Sequence, residues 1–122
     1  MELQYKELEN KIRLIKLIGK LDIGEVRVVE SEFIVHCAGS QVKVIVDISG
    51  ITAITASGAQ LILWTAKEVV SRGGTFVLVN PIPAVAQVLE RSGMKEWAQT
   101  CPDVDSAIPL LLTEDVSQVH HP

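Results

Sequence analysis

Two nearly continuous β-branched runs constrain this chain more than any other feature: Val42-Lys43-Val44-Ile45-Val46 and Thr75-Phe76-Val77-Leu78-Val79. A strand that is apolar at successive positions, not at alternate ones, is covered on both faces and belongs in the middle of a sheet. Between the runs, Ala59, Ile62, Ala66 and Val69 fall on one helical stripe. Arg72-Gly73-Gly74 then supplies a positive last turn and a glycine stop. The unit reads strand, helix, strand, and the right-handed crossover rule makes the two strands parallel neighbours. An α/β architecture follows.

Other elements attach to this unit. Leu3 to Ile18 splits into two apolar segments around Glu9-Asn10-Lys11, a hairpin pattern. Gly19-Lys20-Leu21-Asp22 ends the second strand, and Val26, Val29, Phe33 and Cys37 define one face of a helix over Glu25 to Cys37, with Gly39 as its stop. A helix starts near Pro83, carries Val85, Val88 and Leu89, and stops at Gly93. Trp97 to Thr100 reads as a short edge strand. Pro102-Asp103 opens a last helix with Ile108, Leu111 and Leu112 apolar. Pro109 inside it predicts either a late start capped by Asp105 or Ser106, or a kink, because an interior proline costs ~3 kcal/mol. In 122 residues this is one domain, over 1–112, followed by a flexible C-terminal tail at 113–122.

The chemical inventory is thin. A net charge of −4 disfavours a polyanionic partner, so direct nucleic-acid binding is not expected. Of three histidines, His120 and His121 fall in the tail, and only His36 is internal, beside Cys37. Neighbours on a helix point about 100° apart, so this pair predicts a core thiol next to a surface imidazole and no metal site. Two cysteines make no disulfide scaffold, and no apolar leader precedes Lys6, so a cytoplasmic location is expected. The longest uncharged stretch, Ile48 to Ala66, approaches the length of a membrane span, but its glycines and hydroxyls suit strand, turn and buried helix better. No Gly-x-Gly-x-x-Gly or P-loop pattern occurs, and Gly73-Gly74 follows a helix, the wrong order for a phosphate cradle. No cofactor is expected. Asp22 and Asp47, both read as strand ends, are the only carboxylate pair worth weighing for catalysis, and turn or cap roles suit them better.

The informative segment is Asp47 to Ala59: a strand ends, a glycine turn follows, Ile51 to Ile54 forms a second apolar step, and Thr55-Ala56-Ser57-Gly58 opens the helix. Thr55 or Ser57 can cap free amides, and a small-residue helix start also lets a partner approach closely.

These residues resemble the STAS domain. The resemblance rests on Gly19-Lys20-Leu21-Asp22, on Val44 to Ile51, on Thr55-Ala56-Ser57-Gly58-Ala59, on the Arg72-Gly73-Gly74 stop, and on Pro83-Ala84-Val85 through Leu89 to Ser92-Gly93-Met94, and it spans about Leu3 to Leu112. It implies an α/β fold, a STAS-like mixed β-sheet of about five strands with about four helices around it. It also implies a binding module of the anti-sigma factor antagonist type, without enzymatic activity, that captures a histidine-kinase-like ATPase acting as anti-sigma factor and serine kinase. The alternative within the family is a STAS subunit of a membrane transport complex, docking on its ATPase without itself inserting in the membrane. A homodimer is left open. By the same resemblance, partner binding falls to Asp22, Thr55, Ala56, Ser57 and Gly58. Alignment on Gly58 puts Ala56 where the family carries its phosphorylated serine, which leaves Ser57 and Thr55 as phosphorylation candidates.

Overall fold

A computed structural model describes the backbone of residues 1–120 and the side chains of residues 1–112. The expected tail at 113–122, with His120 and His121, therefore lies outside the residues described in full. The chain runs β1 (Glu2–Glu7), a 3-10 turn (Glu9–Lys11), β2 (Ile12–Leu21), α1 (Ile23–His36), β3 (Lys43–Ile54), α2 (Ala56–Ser71), β4 (Thr75–Val79), α3 (Pro83–Arg91), a second 3-10 turn (Met94–Glu96), β5 (Gln99–Cys101) and α4 (Val104–His120). The five strands form one sheet in the order β1-β2-β3-β4-β5. The hairpin pair β1 and β2 is antiparallel, and every later pair is parallel.

The apolar runs are central for the reason their pattern implies. Val44, Val46, Phe76 and Leu78 point into the larger core with Val29 and Phe33 of α1, Ala59, Ile62, Ala66 and Val69 of α2, and Val85 and Leu89 of α3. Ile45, Val77 and Val79 point the other way, onto Ala107 and Leu111 of α4. Successive residues of a strand face opposite sides, so two covered faces require apolar residues at every position.

Three expectations are corrected. The glycine turn after Asp47 does not form: β3 continues without interruption to Ile54. Lys16 pairs with Asp47 but Ile18 with Gly50, so β3 carries an extra residue there, and another between Ile51 and Ala53. Ser49-Gly50 is thus a bulge, the other structure that small residues in a strand signal. The bulge exchanges the faces: Val44, Val46 and Ile48 enter the larger core on one parity and Ile51 on the other. Asp47 is consequently inside the strand, where its Oδ1 accepts from the Ser49 amide (3.0 Å) and hydroxyl (2.7 Å).

The last helix is capped by neither Asp105 nor Ser106. Asp103 Oδ1 accepts from the Ser106 amide at 2.7 Å, which holds the Asp103 carboxyl below its ordinary range, and Pro109 sits inside α4. The edge strand is Gln99–Cys101, later than the Trp97 start read from the sequence. Trp97 closes the second 3-10 turn, packs on the core, and has Lys67 Nζ 5.5 Å from its ring centre.

Candidate partner-binding surface

Parallel pairing of β2 with β3 ends at Leu21 opposite Ile54. Asp22 and Thr55 follow those two residues directly, so the starts of α1 and α2 are brought side by side at one end of the sheet. Asp22 is the N-cap of α1, its Oδ1 accepting from the Glu25 amide at 3.0 Å. Thr55 is the N-cap of α2, its hydroxyl oxygen accepting from the Gly58 amide at 3.4 Å. The Leu21 carbonyl accepts from both the Thr55 amide (3.1 Å) and the Thr55 hydroxyl (3.4 Å), which ties the start of α2 to the last residue of β2.

Gly58 is required by this junction. A Cβ there would lie 2.5 Å from the Leu21 carbonyl oxygen and 2.8 Å from Leu21 Cγ. Ala56 and Thr55 are exposed, Ser57 is half-buried, and Gly58 is buried. The two candidate hydroxyls therefore differ. The Thr55 hydroxyl is committed to the cap and to Leu21, whereas the Ser57 hydroxyl makes no hydrogen bond among the described residues. The amides of Ala56 and Ser57, first in the helix, have no intrahelical acceptor, and with the helix dipole they favour a negative group.

Ser57 also lines a trough of about 270 Å³ between α1 and α2, with Ile23, Arg27, Glu30, Gln60 and Trp64. A second trough of about 510 Å³ continues it along the helix pair past Ile34, Trp64, Glu68 and Arg72. Trp64 is 62% exposed and Ile23 66%. The sequence contained a signal for this surface that the buried-face pattern obscures. After Val29, Phe33 and Cys37 are assigned to the core, Ile23 and Ile34 remain as exposed apolar residues on the side of α1 that borders the troughs.

The other residues weighed for chemistry do not converge. Asp22 and Asp47 are separated by the whole extension of β3, on the order of 20 Å at ~3.3 Å per residue. At the opposite end of α1, Arg13 Nη1 donates to the His36 and Ala38 carbonyls (2.9 and 2.6 Å), and Arg72 donates to those of Gly39 and Cys37 (2.9 and 3.3 Å). Burial pushes the Cys37 thiol up to about 12 despite these two cations. The His36 ring stacks on Tyr5 at 3.9 Å. Cys37 and His36 are thus the core thiol and surface imidazole that their spacing predicts. No group of three potential metal ligands occurs among the described residues. The stretch Ile48 to Ala66 divides between β3 and α2, and no described helix is long and apolar enough to cross a membrane.

Comparison with known proteins bears on the fold. A curated relative, the anti-sigma F factor antagonist of Lysinibacillus sphaericus, is 27% identical over 100 residues, covering 80% of this chain and 84% of the relative. The anti-sigma factor antagonist SpoIIAA in its unphosphorylated form superposes with a TM-score of 0.70 at 24% identity, over 88% of this chain and 93% of that one. The phosphorylated form of SpoIIAA from Bacillus gives 0.62 at 24% identity, over 88% and 97%. The STAS domain profile matches residues 5–107, from within β1 through β5 to the first turn of α4, and the chain belongs to the STAS domain family.

Proposed function

We propose that this protein is an anti-sigma factor antagonist, a non-enzymatic binding module of the cytoplasm. It captures an anti-sigma factor of the histidine-kinase-like ATPase type through Asp22 and the Thr55-Ala56-Ser57-Gly58 start of α2. The observation that carries the reading is the junction at Leu21: it presents the starts of two helices together, with small exposed residues and unpaired amides at the surface, in a chain whose relative bears that name. A surface without bulky side chains admits a partner close to the backbone, and the two N-termini favour acidic or phosphate groups on that partner. A bound nucleotide on an ATPase supplies such groups.

Ala56 has no hydroxyl to phosphorylate. The Thr55 hydroxyl is committed to capping, and Ser57, one position on, is turned about 100° around the helix. The protein thus binds without the phosphoserine switch at the family's usual position. Two measurements test this. Titration calorimetry against an ATPase-type anti-sigma factor should give saturable 1:1 binding that weakens at least tenfold in Asp22→Ala. Incubation of the pair with ATP, followed by mass spectrometry, should leave the antagonist unmodified. Absence of binding would refute the antagonist reading, and stoichiometric phosphate on Ser57 or Thr55 would refute the switchless part alone.

A further inference from the structure

The outward stripe of α1 that lines the trough reads Ile23, Arg27, Glu30, Ile34, all exposed. The spacing is four, three, four, which is the seam along which two helices pack with side chains interdigitated. The stripe is its own complement when reversed. A two-fold axis through the point midway between Arg27 and Glu30 sets Ile23 against Ile34 of a second copy, and Arg27 against Glu30 of that copy, with both contacts made twice. Neither Arg27 nor Glu30 has an ion-pair or hydrogen-bond partner among the described residues. The pairings that do occur on this helix, Glu25 with the N-terminal amine and Glu32 with His36, lie off the stripe. Trp64 of α2 borders both troughs beside Glu30 and is 62% exposed, so it flanks whatever lies along α1.

We propose that α1 is a homodimer interface. A second copy of this chain packs antiparallel along the Ile23, Arg27, Glu30, Ile34 stripe, with the two Arg27–Glu30 pairs setting the register and Trp64 from each copy closing the sides. The argument is charge complementarity joined to an apolar helix face. An isologous contact requires that where one residue meets a second residue of the other copy, the second meets the first in return, and both pairs on this stripe satisfy that condition. A foreign helix would require no such symmetry. The two apolar pairs at the ends carry the burial, and the central charges exclude the parallel arrangement, which would oppose Arg27 to Arg27 and Glu30 to Glu30. The second copy lies along α1 beside the partner captured at the start of α2, since Ser57 lines the same trough as Ile23, Arg27 and Glu30.

The test is a charge swap on the full chain, read by sedimentation equilibrium, with circular dichroism confirming the fold of each variant. The unmodified protein is expected to be dimeric. Arg27→Glu and Glu30→Arg, at exposed and unpaired positions, should each weaken self-association at least tenfold. An equimolar mixture of the two variants should associate again, because each then opposes unlike charges, and the double variant should recover the homodimer. Trp64→Ala should weaken association without changing the charge pattern. A chain that is monomeric at millimolar concentration overturns the proposal, as do single variants that associate like the parent or a mixture that fails to pair.

Discussion

Replacing Gly58 by alanine should destabilise the protein, although the change improves helix propensity. In a helix without obstruction, glycine to alanine gains up to ~1 kcal/mol. At position 58 the added methyl would sit 2.5 Å from the Leu21 carbonyl oxygen, 2.8 Å from Leu21 Cγ and 3.0 Å from Ile54 Cγ1. The nearest of these is backbone in the sheet and does not rotate away, so the start of α2 must retreat from β2. Overpacking of this kind costs about 1–3 kcal/mol. The retreat also stretches the two bonds from Thr55 to the same carbonyl, at 3.1 and 3.4 Å, each worth about 1 kcal/mol or less. Subtracting the propensity gain leaves a net loss of about 2 kcal/mol, and at ~3–5 °C per kcal/mol for a chain of this size the melting temperature falls by about 6–10 °C. Gly24→Ala is the control. It lies in the first turn of α1, and its methyl would meet only Asp22 Oδ1, at an ordinary 3.6 Å, so stability should hold or rise by up to ~1 kcal/mol. Urea unfolding followed by tryptophan fluorescence measures both variants. If Gly58→Ala proves as stable as the parent, the junction at Leu21 is not rigid and the reasoning fails.

Further consequences can be measured separately. Thr55→Ala should cost about 1 kcal/mol by removing the cap, while Thr55→Ser should retain most of it, as urea midpoints would show. Arg13→Ala should cost about 1–2 kcal/mol by stripping the charged donor from the His36 and Ala38 carbonyls, an amount that thermal unfolding resolves. The Cys37 thiol is buried and pushed up to about 12 from 9.0, so in the native protein it should resist iodoacetamide at pH 8 and react only on unfolding. Because its folded value lies above the unfolded one, its contribution to stability is complete below about pH 9 and is lost as the pH rises toward 12. The alkaline slope should therefore be smaller in Cys37→Ala, and equal slopes would contradict the burial argument.

How much of this was legible in the sequence depended on whether one residue's neighbours were local. Strand, helix and stop were readable from Val42 to Val79 because the burial of β3 and β4 on both faces is written in consecutive side chains. Asp22 and Thr55 could be read as caps for the same reason, each acting on an amide three residues ahead. The bulge at Ser49-Gly50 was not readable as a bulge: small residues announce a departure from the regular pleat, and only pairing with β2 determines whether the chain turns or absorbs an extra residue. Asp103 was missed as the cap of α4 because Pro109 directed attention to later starts. The Leu21 carbonyl was invisible too, since backbone atoms have no sequence signature. Its role follows from parallel pairing that sets Leu21 beside Ile54, 33 positions later, which brings Thr55 within reach across the 34-residue span of the Thr55–Leu21 bond.

That carbonyl also determines what kind of message this end of the molecule can send. One oxygen receives the amide and the hydroxyl of Thr55 and lies against Gly58, so α2 has no slack at its first turn, and the next residue, Asp22, is the cap of α1. A group added to the surface there meets an anvil. It cannot be relieved by sliding either helix, so its effect on a partner would be felt as changed charge and bulk at an unmoved surface, and the rest of the fold would carry no record of it.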